Sequence, residues 1–197
     1  MKIAISQREE AVGNNGLLCD CLEQVWYQFL NKHEIVPIPN VVTDQDYDFD
    51  MVIFSGGNAS LARLHTELKL YNRAMDLGLP ILGICHGAFF LAELTGGTCG
   101  DIDGHRETEH VVAMDGHNVL VNSFHGSNII SVGKDYKAIA RDLDGNIEGF
   151  RHNTLPVWGL VWHPERMEVP VLPQDLDDLL GITKNVFNHI PDWMDSL

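Results

Sequence analysis

Pro80-Ile81-Leu82-Gly83-Ile84-Cys85-His86-Gly87-Ala88-Phe89 joins a short apolar run, a cysteine set between glycines and the first residues of a second apolar segment. Residues 82–84 read as a buried strand. The small residues at 83 and 87 permit a tight strand-to-helix turn that projects the Cys85 side chain, the sequence form of a nucleophile elbow. The helix that follows begins with free N–H groups, which favour negative charge and suit a developing oxyanion. Taken alone, Gly-x-Cys-x-Gly also suits a packed core cysteine.

Upstream, Leu61, Leu64, Leu68, Tyr71 and Met75 recur three and four apart and predict one face of a helix ending at Leu77-Gly78. A strand before it begins at Phe49-Asp50, runs through residues 51–54 and closes on Ser55-Gly56-Gly57-Asn58. Strand, helix and strand at these lengths imply a right-handed crossover in a parallel sheet. Residues 2–6 and 34–38 read as further strands. Between them Leu18, Leu22, Val25, Trp26, Phe29 and Leu30 follow helical spacing, which predicts one amphipathic helix over residues 17–30.

Downstream, residues 110–114, 118–121, 138–141 and 147–151 read as shorter strands, with Asp115-Gly116 and Asp144-Gly145 as hairpin signals. Residues 157–162 form an interior strand that delivers His163. Residues 176–190 suit a closing helix with Leu179, Leu180, Ile182, Val186 and Phe187 partly buried. The expected architecture is an α/β fold in a single domain over residues 1–197. Its central, mostly parallel sheet carries helices on both faces and a small antiparallel portion.

The chain has 197 residues, 45% of them hydrophobic, enough to bury a full core. Its 28 acidic and 13 basic residues leave a formal charge of −15. Such a surface repels nucleic acid and anionic membranes, so neither is an expected partner. A small anionic substrate stays open, because Arg8, Arg63, Arg106 and several histidines can supply a local positive patch. No apolar run approaches the roughly 18 residues of a membrane span. The start of the chain lacks the apolar stretch of a signal peptide, and a cytoplasmic location is the expectation. Cys19, Cys21, Cys85 and Cys99 form no C-x-x-C pair, and the histidines show no compact ligand spacing. No metal and no cofactor are therefore expected.

The second chemical cue is Trp162-His163-Pro164-Glu165. His163 ends an apolar strand that Pro164 stops. Glu165 is close enough to receive one imidazole N–H while the other ring nitrogen faces a thiol. Cys85, His163 and Glu165 thus offer nucleophile, base and orienting carboxylate. Gly56 and Gly57 sit at a strand's carboxyl end, where ligands collect in open α/β sheets. The Gly57 and His86 N–H groups are the expected oxyanion donors, although a plain glycine turn has the same sequence.

Phe54-Ser55-Gly56-Gly57, Gly83-Ile84-Cys85-His86-Gly87, Val121-Asn122-Ser123-Phe124-His125 and Trp162-His163-Pro164-Glu165 together resemble a class I glutamine amidotransferase domain. They stand in the family's order and span nearly the whole chain. The resemblance implies that family's flavodoxin-like fold, thiol attack on a γ-glutamyl amide, a γ-glutamyl thioester and hydrolysis that releases glutamate. It carries the family's triad onto Cys85, His163 and Glu165. Ser123 and Phe124 match main-chain contacts to the glutamyl carboxylate, with Gly56, Asn58 and His125 beside them in the substrate site. Glu67 matches an acid of the stand-alone γ-glutamyl hydrolases in this group.

Three departures bear on the substrate. Phe89 stands where amidotransferases usually carry glutamine, Gly126-Ser127 follows His125 in place of His-Gln, and Ala59 follows Asn58 in place of aspartate. The catalytic residues are intact, and the departures point away from glutamine as the amide. The opening residues 3–8, the aromatic residues 26–29 and residues 162–166 are most similar to the branch that hydrolyses γ-glutamyl-CDP-amidate. That resemblance implies a γ-glutamyl nucleotide phosphoramidate substrate in capsule or surface-polysaccharide modification. Arg8 and Arg106 are then phosphate partners, with His105 and His110 at the rim. One alternative is a glutaminase subunit that delivers ammonia to a separate synthetase, since the length leaves no room for a fused one. The other is a catalytically inert interaction or sensor domain of the same fold. The expected partner is a small γ-glutamyl substrate; a homo-oligomer stays open, and a synthetase partner belongs to the glutaminase alternative.

Overall fold

The computed structural model describes residues 1–41 and 47–182. In chain order the first strands are β1 (Lys2–Ser6), β2 (Arg8–Val12) and β3 (Leu17–Cys21), followed by α1 (Val25–Phe29), β4 (Glu34–Ile38) and β5 (Met51–Phe54). Then come α2 (Leu61–Leu77), β6 (Ile81–Ile84), α3 (His86–Leu94) and β7 (Thr98–Asp101). The remaining strands are β8 (Thr108–Met114), β9 (His117–Ser123), β10 (Ser127–Ser131), β11 (Tyr136–Asp142), β12 (Ile147–His152) and β13 (Val157–Leu160). A 3₁₀ turn at Pro164–Arg166 and α4 (Gln174–Leu180) complete the described chain.

One sheet runs in the order β4-β1-β5-β6-β13-β12-β11-β8-β9, with β10 on β12 and β7 on β10; β2 and β3 form a separate hairpin. The strands from β4 to β13 are mutually parallel, and β12 opens the antiparallel portion. This is the flavodoxin-like α/β fold expected from the residue pattern.

Strand alternation divides the parallel body between two cores. Ala4, Val52, Phe54 and Ile81 pack with Leu70 and Ala74 of α2 and with Ala88 and Leu91 of α3. Ile3, Ile5, Met51, Ile53, Leu82 and Ile84 meet Trp26, Leu30, Leu176 and Leu180 on the opposite face. Both faces are thus covered by helices, which is why these strands read as continuous apolar runs. Ser60 caps α2 by accepting from the Arg63 N–H at 3.1 Å, and Gly78 ends it in the left-handed region at φ 65°. The β8–β9 hairpin turns at Asp115 and Gly116, both at positive φ.

Two expectations change. Residues 17–30 do not form one helix: residues 17–21 are β3, paired with β2 from Arg8↔Cys21 to Val12↔Leu17. The apparent stripe includes Leu18, which is 66% exposed, so nothing pulls that end onto the core. Backbone pairing across the turn satisfies its polar groups instead, and only residues 25–29 are helical, anchored by buried Trp26. The closing helix ends at Leu180, where Gly181 enters the left-handed region at φ 64°. Residues 183–190, with Val186 and Phe187, lie outside the described residues. Among the described residues no helix is long and apolar enough to cross a membrane.

Candidate active site

Three elements converge where β5, β6 and β13 end. Cys85 follows β6 and occupies φ 50°, ψ −103°, a region that costs a non-glycine residue about 1–3 kcal/mol. The bend is held by Cys85 N–H to Leu160 C=O at 2.8 Å and by the Ala88 and Phe89 N–H groups to Cys85 C=O at 3.0 and 3.1 Å. The flanking glycines are required by close approach. A Cβ on Gly83 would overlap the Gly87 carbonyl, and one on Gly87 would overlap the Phe54 carbonyl.

His163 reaches the same place from the end of β13. Asn122 on β9 clamps its backbone, accepting the His163 N–H at 2.8 Å and donating to the His163 C=O at 2.9 Å. The ring lies against Gly56, where a Cβ would overlap Cε1. Nδ1 donates to Glu165 Oε1 at 2.6 Å, which leaves Nε2 for the hydrogen bond with Cys85. Burial alone pushes the imidazole down. The hydrogen bond to Cys85 and the bond to Glu165 outweigh it and raise the group to about 9. The protonated ring therefore prevails at neutral pH, buried between sulfur and carboxylate. Phe124 covers it edge-on at 5.6 Å, and the Arg166 guanidinium lies 5.1 Å over the Phe124 ring.

The Ser55–Gly57 turn is positioned from below by Arg63, which is fully buried. Its guanidinium donates to the carbonyls of Ser55, Gly56 and Asn58 at 2.5, 3.1 and 3.2 Å. Because a trans peptide sets C=O and N–H on opposite sides, the bond to Gly56 C=O turns the Gly57 N–H away from Arg63. Arg63 Nε also donates to Glu67 Oε1 at 2.9 Å, and the same oxygen accepts from Ser6 Oγ at 2.7 Å. Glu67 Oε2 pairs with His86 Nε2 at 2.9 Å. Burial pushes the Glu67 carboxyl up, but His86, Arg63 and Ser6 hold it below its ordinary value. One buried network thus orients both turns that present the candidate oxyanion donors.

Several expected contacts are placed elsewhere. Glu67 is 0% exposed with both oxygens engaged, so it supports the elbow and does not face a substrate. Arg63 belongs to no surface patch, for the same reason. Arg8 lies against Gly57, but its guanidinium is committed to Glu10 and Glu23. Glu23 also binds Arg166 at 2.6 Å. Burial pushes Glu23 up, and its bonds to Arg166 and Arg8 bring it below the carboxylate range. Gly57 and Asn58 are exposed at the rim. Exposed Arg106 packs over Gly126. Buried Ser123 spends its hydroxyl on the His105 carbonyl at 2.6 Å. A groove of about 610 Å³ opens beside Phe124, bordered by Asn122, Arg166 and Glu109.

His125 is 4% exposed, below the surface rather than in the pocket, with Nδ1 donating to Ser127 C=O at 2.7 Å. Burial lowers the affinity of its ring for a proton, and Glu148 only partly restores it. His105 and His110 do not form a rim either: their side chains are 12% and 16% exposed and turn inward to Glu148. The lack of compact ligand spacing in the sequence is overturned in space, since donor atoms of His105, His110 and Glu148 lie within 4.8 Å of one another. Sequence reasoning also passed over Asn122, Ser6 and Glu148. Only the Arg63–Glu67 spacing of four on one helix face carried a usable signal.

The class I glutamine amidotransferase family model matches residues 17–176. Gamma-glutamyl-CDP-amidate hydrolase of Campylobacter jejuni is 27% identical over 163 residues, covering 75% of this chain and 81% of that protein. A glutamine-hydrolyzing GMP synthase subunit of Methanosarcina acetivorans is 30% identical over 166 residues, covering 78% and 85%. The crystal structure of a protein assigned as a GMP synthase subunit in Thermoplasma acidophilum superposes with a TM-score of 0.69 at 22% identity, over 95% of this chain and 96% of that one. With its fold, its cysteine elbow and the matched residues in agreement, the chain belongs to the class I glutamine amidotransferases.

Proposed function

We propose that the chain is a glutaminase subunit, hydrolysing the amide of glutamine and handing ammonia to a separate synthetase. The observation that carries this reading is the line from Cys85 through His163 to Glu165, with Nδ1 and Oε1 2.6 Å apart, at the ends of neighbouring strands β6 and β13. The similarity to free-standing GMP synthase subunits supports a separate partner.

In this mechanism the Cys85 sulfur attacks the γ-carbonyl carbon. A C–S bond forms, and the carbonyl electron pair moves onto oxygen. The Gly57 and His86 N–H groups stabilise that oxyanion; losing one such donor costs roughly 3 kcal/mol in the transition state. Collapse breaks the C–N bond as His163 delivers its proton to the leaving nitrogen, releasing ammonia. His163 then takes a proton from water, which attacks the thioester, breaks the C–S bond and frees glutamate. Glu165 stabilises the imidazolium and fixes its orientation. The main chain of Ser123 and Phe124, beside the His163 ring, binds the glutamyl end. Gly56 and Asn58 line the approach, and Arg63 and Glu67 act as positioning residues.

A second reading, hydrolysis of a γ-glutamyl nucleotide phosphoramidate, is favoured by Phe89. Its ring packs into the core near His125 with a centroid separation of 6.2 Å and offers no amide at the place where glutamine-using relatives carry one. The similarity to the Campylobacter jejuni hydrolase supports the same reading, with Arg8 and Arg106 on the leaving-group side.

Glutamate release by the purified chain separates the two. Glutamine, simple γ-glutamyl amines, folyl-γ-glutamate and a γ-glutamyl nucleotide phosphoramidate are compared, with Cys85→Ala as control. The glutaminase reading expects glutamine turnover that rises when a synthetase and its acceptor are added. Rapid partner-free hydrolysis of the phosphoramidate selects the second. No turnover, together with no labelling of Cys85 by a glutamine-like electrophile, rejects both and leaves an inert domain.

A further inference from the structure

We propose that His105, His110, His125 and Glu148 form a buried site for one divalent metal ion, zinc by the nature of its ligands, that fastens the substrate-binding segment to the sheet. The site lies outside the triad and does not depend on which amide is hydrolysed. His105 comes from the loop between β7 and β8, His110 from β8, His125 from the residues after β9, and Glu148 from β12.

The Glu148 carboxylate is 1% exposed, and neither oxygen receives a hydrogen bond. Facing it are His105 Nδ1 at 3.7 Å, His110 Nε2 at 3.5 Å and His125 Nε2 at 3.6 Å, and these three ring nitrogens also lack hydrogen-bond partners. A buried carboxylate surrounded by unpartnered ring nitrogens is unfavourable unless something lies between them. The separations are too long for hydrogen bonds of about 2.7–3.2 Å. They suit donors around an ion: tetrahedral zinc with bonds of about 2.0–2.1 Å sets its ligands about 3.3–3.4 Å apart.

The outer partners orient the same atoms. His125 Nδ1–H is held by Ser127 C=O at 2.7 Å, which turns the Nε2 lone pair toward Glu148. His105 Nε2 lies 3.6 Å from Asp142 Oδ2, which leaves Nδ1 for the interior. Asp142 is itself fixed by the Asn146 N–H at 2.8 Å and the Asn146 side-chain amide at 2.7 Å. Three imidazoles and one carboxylate are a borderline-soft donor set that suits zinc better than calcium or magnesium. Four protein ligands without an open position make a structural site, not a catalytic one.

Its consequence lies next door. The His105 carbonyl accepts both Ser123 Oγ–H at 2.6 Å and His125 N–H at 3.1 Å. Metal ligation by His105 and His125 therefore clamps both ends of the stretch carrying Phe124, the residue that covers His163.

The test uses the full chain, produced in zinc-supplemented medium and desalted against a weak chelator. Metal content is read by plasma mass spectrometry, and the stripped chain is reloaded with cobalt for visible spectroscopy. The expected results are one zinc per chain, lost in His110→Ala and in Glu148→Gln and kept in Cys85→Ala. Cobalt should give the intense bands of a four-coordinate site without a sulfur charge-transfer band. Zinc should raise the melting temperature of the unsubstituted chain and leave that of Glu148→Gln unchanged. Substoichiometric zinc in the unsubstituted chain, equal zinc in His110→Ala, or loss of zinc in Cys85→Ala would overturn the proposal. The cobalt spectrum of the unsubstituted chain decides the matter even if a variant fails to fold. None of these readouts requires catalytic activity, so they stand or fall apart from the glutaminase reading.

Discussion

Replacing Arg63 with methionine tests whether the buried network organises the site. The substitution keeps much of the side chain's volume and removes its charge and every donor. Five hydrogen bonds disappear: to Glu67 at 2.9 Å, to Gly56 and Asn58 carbonyls at 3.1 and 3.2 Å, and to Ser55 carbonyl and hydroxyl at 2.5 and 3.2 Å. Glu67 remains 0% exposed without its guanidinium, and breaking a buried ion pair from one side costs about 3–5 kcal/mol. Buried carbonyls left without donors cost about 1–3 kcal/mol each. Asn58 is exposed and regains water, and Glu67 keeps Ser6 and His86, so the total is on the order of 5 kcal/mol. For a chain of this size that lowers the melting temperature by roughly 10–20 °C. The assay is urea and thermal unfolding of Arg63→Met, Glu67→Gln and the double variant. The double variant should lose less than the sum of the singles, with a coupling of roughly 2 kcal/mol. A melting temperature within about 3 °C of the unsubstituted chain, or strict additivity of the two substitutions, would refute the network.

Further outcomes follow from the same geometry. His163→Ala should slow turnover by roughly 10²–10⁴-fold by removing the acid–base group; Glu165→Gln should slow it less, because an acceptor for Nδ1–H survives. Steady-state glutamate release measures both, and equal rates in all three proteins would remove the triad. Gly87→Ala should prevent the elbow from closing, because its Cβ meets the Phe54 carbonyl. Loss of folded protein, or a fall in melting temperature beyond that of an exposed Gly116→Ala control, is the expected reading. His163 holds its proton more tightly when folded, at about 9 against 6.5. Its contribution is therefore fully present below about pH 6.5 and disappears as pH rises through about 9, a loss of roughly 3 kcal/mol. Urea unfolding across that window should show the decline in the unsubstituted chain and a flatter profile in His163→Ala; parallel profiles would contradict it.

Residues 81–84 and 51–54 read as buried strands because both faces are covered, and the structure places them at the middle of the parallel body. Gly83 and Gly87 signal the tight bend because only residues without a Cβ pass there. The first helix is shorter than its residue pattern predicts because leucines at 17, 18 and 22 fit two periodicities, and only the partner strand β2 decides between them. Glu67 and Arg63 give no sign in isolation of being wholly buried. Whether a charged side chain faces water or a network depends on what packs over it.

The order of strands and helices, the cysteine at a strand end and the His163–Glu165 spacing are local properties, so the chain alone determined them through periodicity, glycine sterics and side-chain reach. The meeting of β6 with β13, the Arg63 anchor beneath the oxyanion turn and the gathering of His105, His110 and His125 around Glu148 were decided only by the tertiary structure. Those groups lie tens of residues apart, and sheet register rather than sequence spacing sets the distances between them.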